Sequence, residues 1–197
     1  MANIRVIQSP YIGPFSNIEA VNESSTTSGV GIHVGELGGR VELTQTGAGT
    51  KEYQKVQLDS GAVAGSGPGI VAIGQLAYWK DKSKYLVTND PGQAIGAASV
   101  INTNTPFRNE VAGVFTVAVT AGNYTWVQQK GNNTTVKSVS STGVPGYWVV
   151  SDNTAATSQV ALVATTTAPT VQPLGKNVTA GSGLTTLTVD LDIPGIP

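Results

Sequence analysis

Apolar residues in this chain recur at every second position, and hardly anywhere at the spacing of a helix. Residues 40–46 alternate cleanly, with Val41 and Leu43 on one face. Residues 51–58 alternate as well, with Tyr53, Val56 and Leu58 as apolar members and a slip of one between Tyr53 and Val56 that reads as a bulge. Runs 114–120 and 184–192 are β-branched and bounded by glycine, which suits pleated, half-buried strands. Two hairpins are predicted. Residues 76–79 and 85–88 flank the polar connection 80–84, and residues 124–129 and 134–138 flank 130–133, where Gly131, Asn132 and Asn133 tolerate positive φ. The one candidate for a helical turn runs from Asp152 to Val160. The expected fold class is all-β, a small β-barrel or sandwich with little or no helix.

The pattern weakens at the amino-terminal end. Residues 1–35 hold two prolines and a polar run at 22–28, with single apolar residues between. They are expected to form an extended arm, ordered where something receives it, ahead of a β-rich domain over 36–197. The anchors of that arm would be Ile4, Val6, Ile7, Tyr11, Ile12, Phe15 and Ile18. Residues 61–69 read as a flexible glycine-rich loop, and 165–170 and 193–197 as proline-containing extended segments.

Composition narrows the function. The chain has 197 residues with no cysteine, one histidine, 12% charged residues and a net charge of −1. A chain of this length buries roughly 70% of its extended surface and holds a core without staples. Disulfides and thiolate metal sites are excluded, and no basic stripe is present for neutralising phosphates, so no nucleic-acid partner is expected. No run of 18 apolar residues and no secretory signal is found in this sequence, so neither a membrane partner nor export is expected.

Catalytic chemistry finds little support. His33, the single histidine, stands in the alternating run 30–34 with no G-x-S-x-G motif anywhere, so it reads as structural. Three copies meeting at His33 would be needed for a histidine metal site. Asp190 and Asp192 are two apart and share one strand face, the arrangement of a solvated outer face or the start of a carboxylate pair. Gly175 and Lys176 lack the earlier glycine of a P-loop. Lys80, Lys82 and Lys84 surround Asp81 as a solvated hairpin tip. Trp79, Tyr124, Trp126 and Trp148 lie in strand-like runs, and core or subunit interface is the reading ahead of a sugar platform. The expectation is a protein that is not an enzyme, with no cofactor and no metal.

Residues 95–99 and 111–131 carry a resemblance. Gly113, Val114 and Phe115, the run Val119, Thr120, Ala121, Gly122, Asn123 and Tyr124, then Trp126, Val127, Gln128 and Gly131 are similar to the head decoration (cement) proteins of tailed bacteriophages. Residues 74–79 resemble that family's aromatic strand before a hairpin, and 187–193 its last strand. The likeness covers about residues 70–193. It implies a structural virion protein that is made in the host cytoplasm. That protein would bind the major capsid protein on the outer surface of the expanded capsid and cement neighbouring capsomers as a homotrimer at threefold or quasi-threefold sites. In that setting the arm would add a strand to a capsid-protein edge, and the aromatics would line the trimer axis. Two alternatives are a head-fibre or tail-associated binding module, and a carbohydrate-binding β-sandwich using Trp126 or Trp148 with Asp190 and Asp192.

Overall fold

The computed structural model describes residues 3–8, 24–25, 37–45, 49–62, 70–95, 110–139, 142–151, 160–162 and 172–194. Its strands, in chain order, are β1 (Asn3–Gln8), β2 (Ser24–Ser25), β3 (Arg40–Gln45), β4 (Gly49–Leu58), β5 (Ile70–Val71), β6 (Leu76–Asp81), β7 (Leu86–Thr88) and β8 (Val111–Phe115). They continue as β9 (Val119–Thr120), β10 (Tyr124–Lys137), β11 (Thr142–Gly143), β12 (Trp148–Ser151), β13 (Val160–Leu162), β14 (Pro173–Asn177), β15 (Gly181–Ser182) and β16 (Thr186–Asp192). The fold is all-β. Helical structure among the described residues amounts to two single 3₁₀ turns, Lys82–Lys84 and Pro91–Gln93.

Five of these strands close a ring. β4 pairs parallel with β7, β7 antiparallel with β6, β6 with β8, β8 with β10, and β10 returns to β4. Closure removes open edges from this part of the sheet. Every ring strand contributes to one interior: Val56 and Leu58, Val87, Ala77 and Trp79, Ala112 and Phe115, and Val127. The remainder is a wing, in which the second half of β10 continues through β16, β14, β12 and β13. Val136, Leu187, Val189, Leu191, Leu174 and Val149 of the wing pack on Leu76, Tyr78, Val111 and Val114.

β6 and β8 are therefore a wall shared by two cores. Period-two alternation sends Leu76 and Tyr78 to the wing side and Ala77 and Trp79 to the ring side. In β8 the register shifts, so that Ala77 faces Gly113 while Tyr78 faces Val111. The extra residue, Ala112, lets Val111 and Val114 face the wing while Ala112 and Phe115 face the ring. This is how the unbroken apolar run at 111–115 becomes useful: both faces of the strand are dry.

Several expectations hold. β3 buries Val41 and Leu43, β6 and β7 form the first hairpin, and β16 alternates as predicted. The second predicted hairpin does not exist. β10 runs unbroken from Tyr124 to Lys137, and Lys130, Gly131, Asn132 and Asn133 pair with β16 from Asp192 to Val189. The turn-forming residues accommodate an irregularity inside the strand instead. Gln129 is the extra residue where β10 leaves β4, and Gly131 has φ +82°. The Gln128 side-chain amide donates to the carbonyls of Lys130, Gly131 and Asn132 at 3.0, 3.1 and 3.2 Å, which secures the kink. Turn chemistry marks positive φ, whether or not the chain reverses.

Two smaller corrections follow the same logic. The 114–120 run breaks after Phe115, and β9 pairs with β5 as a separate ladder. The register of β4 against β10 is continuous from Tyr53 to Gln57, so no bulge lies there. The slip arises because Tyr53, Gln54, Lys55 and Val56 are all buried, on both strand faces. His33, Tyr11, Ile12, Phe15, Ile18, and residues 63–69, 152–159, 163–171 and 195–197 lie outside the described residues.

Candidate functional site

Ile4, Val6 and Ile7 belong to β1, which pairs antiparallel with β3: Asn3 faces Thr44, and Gln8 faces Arg40. β1 stands at the end of the large sheet, with β3 as its neighbour. Further along, β2 pairs with Tyr124 and Thr125 at the start of β10. The amino-terminal segment thus meets the molecule at two separate places, through backbone ladders.

The four aromatics divide into two classes. Trp79 is 2% exposed inside the ring, edge-on to Tyr85 at 6.4 Å between centroids. Trp126 is fully buried with the Lys55 ammonium 5.7 Å from its ring centroid, and its indole N–H has no hydrogen-bond partner. Both are core residues of a single chain, so neither is a sugar platform. Tyr124 and Trp148 are half-buried. Trp148 has the Lys176 ammonium 5.0 Å from its ring centroid, and its indole nitrogen is buried without a partner.

Trp148 is not isolated. It faces Lys176 on β14, Lys176 faces Asp190 on β16, and Asp190 faces Asn132 on β10. Directly opposed residues in a ladder point to the same side of a sheet, so these four form a row across four strands of the wing. Lys176, Asp190 and Asp192 are exposed, which makes this the outer face; Leu187, Val189 and Leu191 face the core. Asp190 and Asp192 share that face as their spacing predicts.

Elsewhere several charged groups neutralise one another. Lys80 donates to Asp59 at 2.6 Å and to Gln93 at 3.1 Å, Lys82 pairs with Glu110, and Lys84 lies 3.4 Å from Asp81. The Ser83 hydroxyl, followed by Lys84, holds the Asp81 carboxyl below the usual aspartate range. The hairpin tip is solvated, as expected, but its lysines are distributed to three different carboxylates. Glu52 bridges Arg40 at 2.8 Å and Lys130 at 3.2 Å. Inside, Gln129 donates to Gln54 at 2.7 Å and to the Ala112 carbonyl at 3.0 Å, tying β10, β4 and β8 together. Burial pushes the Tyr53 hydroxyl up to about 12. Among the described residues no three His, Cys, Asp or Glu side chains are grouped to hold a metal, and no helix is long and apolar enough to cross a membrane.

The sequence pattern did not flag a set of exposed apolar side chains. Ile73, Val139 and Val178 are 46%, 46% and 49% exposed. Lys137 N–H donates to the Gly74 carbonyl and Ser138 N–H to Thr185, so Ile73 and Val139 stand near one another where β10 meets the start of β16, whereas Val178, whose N–H donates to Thr188, follows β14 on the other side of β16. A periodicity argument misses them because each lies just beyond a strand end, where alternation carries no information.

Comparison with known protein families, characterised proteins and solved structures finds no match to this chain.

Proposed function

We propose that this chain is a structural decoration protein of a tailed-phage head, binding the outer surface of the expanded capsid and cementing neighbouring capsomers as a homotrimer. The observation that carries the reading, beside the sequence resemblance over 70–193, is the edge position of β1. Among the described residues this six-residue strand is attached through its ladder with β3, a mode of attachment that any exposed strand edge of a capsid subunit also offers. Three such strands on one trimer multiply modest individual affinities through effective concentration. Ile73, Val139 and Val178 are exposed apolar side chains that a neighbouring chain would cover. The two interlocked cores suit a load-bearing part, because strain on either sheet is shared through β6 and β8.

Quantitative mass spectrometry of purified particles tests the assignment. Copies in fixed proportion to the major capsid protein are expected. A handful per particle would place the protein in a head fibre or tail, and absence from particles would overturn the virion assignment. Light scattering of the purified protein is expected to give the mass of a trimer.

A further inference from the structure

We propose that the outer face of the wing binds a neutral oligosaccharide, with Trp148 as the stacking surface and Lys176, Asp190 and Asn132 as the hydrogen-bonding row beside it. This site stands independently of the capsid reading. Of the three tryptophans, Trp79 and Trp126 are buried, and Trp148 alone is partly exposed. Its indole nitrogen is buried, and the Lys176 ammonium lies over the ring 5.0 Å from its centroid, so the face a sugar C–H surface would stack on is the one the lysine now covers.

The neighbours supply the complementary polar groups. Lys176 is a donor, Asp190 an acceptor, and Asn132 both. Lys176 directs its ammonium at the indole rather than forming an ion pair with Asp190, its cross-strand neighbour. Asp190 is thereby left to accept sugar hydroxyls. The cation–π contact of an exposed lysine is weak enough for a sugar to displace, and Asp190 is then the nearest carboxylate for the released ammonium. Strands about 4.8 Å apart place the four side chains along roughly 14 Å, which accommodates about three hexose units. Asp190 and Asp192, both exposed on this face, repel polyanions and select a neutral ligand.

Tryptophan fluorescence of the intact protein tests this, because the one partly exposed indole is the one in the row. Maltohexaose, cellohexaose, xylohexaose and chitohexaose serve as neutral probes, and a hyaluronan hexasaccharide as the anionic one. A saturable change with at least one neutral probe is expected, with a dissociation constant in the range of roughly 0.1–1 mM. Asp190→Ala should weaken it about tenfold, the effect of losing one or two hydrogen bonds. Isothermal titration of Trp148→Ala, which has lost the reporter, should show no heat of binding. Asp190 is exposed, so its variant tests the site without disturbing the fold. Absence of saturation by every neutral probe up to about 10 mM, undiminished binding by Asp190→Ala or Trp148→Ala, or binding of the anionic probe alone would each overturn the proposal.

Discussion

At the residue scale, two kinds of glycine separate cleanly. Gly131 and Gly122 have φ of +82° and +86°, the region L side chains avoid. A Cβ on Gly131 would stand 2.3 Å from the Thr50 carbonyl oxygen, whereas one on Gly122 meets nothing within 4 Å. Gly122→Ala should therefore cost only the backbone penalty of about 1 kcal/mol. Gly131→Ala should cost about 3 kcal/mol or more, since rigid backbone must also move. Urea denaturation of the two variants measures the difference, and equal costs would mean that β10 does not pass as close to β4 as described. Tyr53 gives a second residue-scale expectation. Its folded-state hydroxyl titrates about 12 and the unfolded one near 10. Stability is fully retained below about pH 10 and declines by up to about 1.4 kcal/mol per pH unit from there toward 12, because the unfolded chain releases its proton first. Tyr53→Phe should flatten that decline in a denaturation series at alkaline pH.

At the element scale, β10 and β1 carry opposite duties. β10 joins the ring to the wing, and Gln128, Gln129 and Asn133 pin its kink from within. Gln129→Leu removes both amide bonds, to Gln54 and to the Ala112 carbonyl, so a loss of about 1–3 kcal/mol is expected by thermal or chemical unfolding. β1 lies at the sheet's end and is held by its antiparallel ladder with β3. Deleting residues 1–8 removes an end strand and its ladder, and should cost less stability than Phe115→Ala or Leu187→Ala. It should also bare the β3 edge, so self-association should rise in sedimentation experiments. Under the capsid reading the same deletion abolishes or greatly weakens attachment to expanded particles.

At the scale of the whole molecule, the shared wall predicts a single cooperative transition. Phe115 fills the ring and Leu187 the wing, both fully buried. Phe115→Ala and Leu187→Ala should cost about 3–5 and 2–5 kcal/mol respectively. Each should shift the unfolding midpoint equally whether followed by tryptophan emission, which reports both sheets, or by far-ultraviolet dichroism. Separate midpoints for ring and wing would show that β6 and β8 do not couple them.

The all-β class, the faces of β3 and β16 and the first hairpin were legible in the sequence, because a half-buried strand prints its environment as alternation. So was the common outer face of Asp190 and Asp192. What alternation cannot report is which strand lies alongside which, since pairing uses backbone groups that every residue shares. Ring closure, the second core and the split partners of β10 were therefore decided by tertiary structure. The same holds for Gly131, whose positive φ was readable although its use as a kink rather than a reversal was not. The fates of Trp126 and Trp148 differ for a related reason: each stands in a β-rich run, and only the packing of one and the solvent exposure of the other made one core and one surface. The row from Trp148 to Asn132 joins residues up to 58 positions apart (190 minus 132), so only the register of four strands could assemble it.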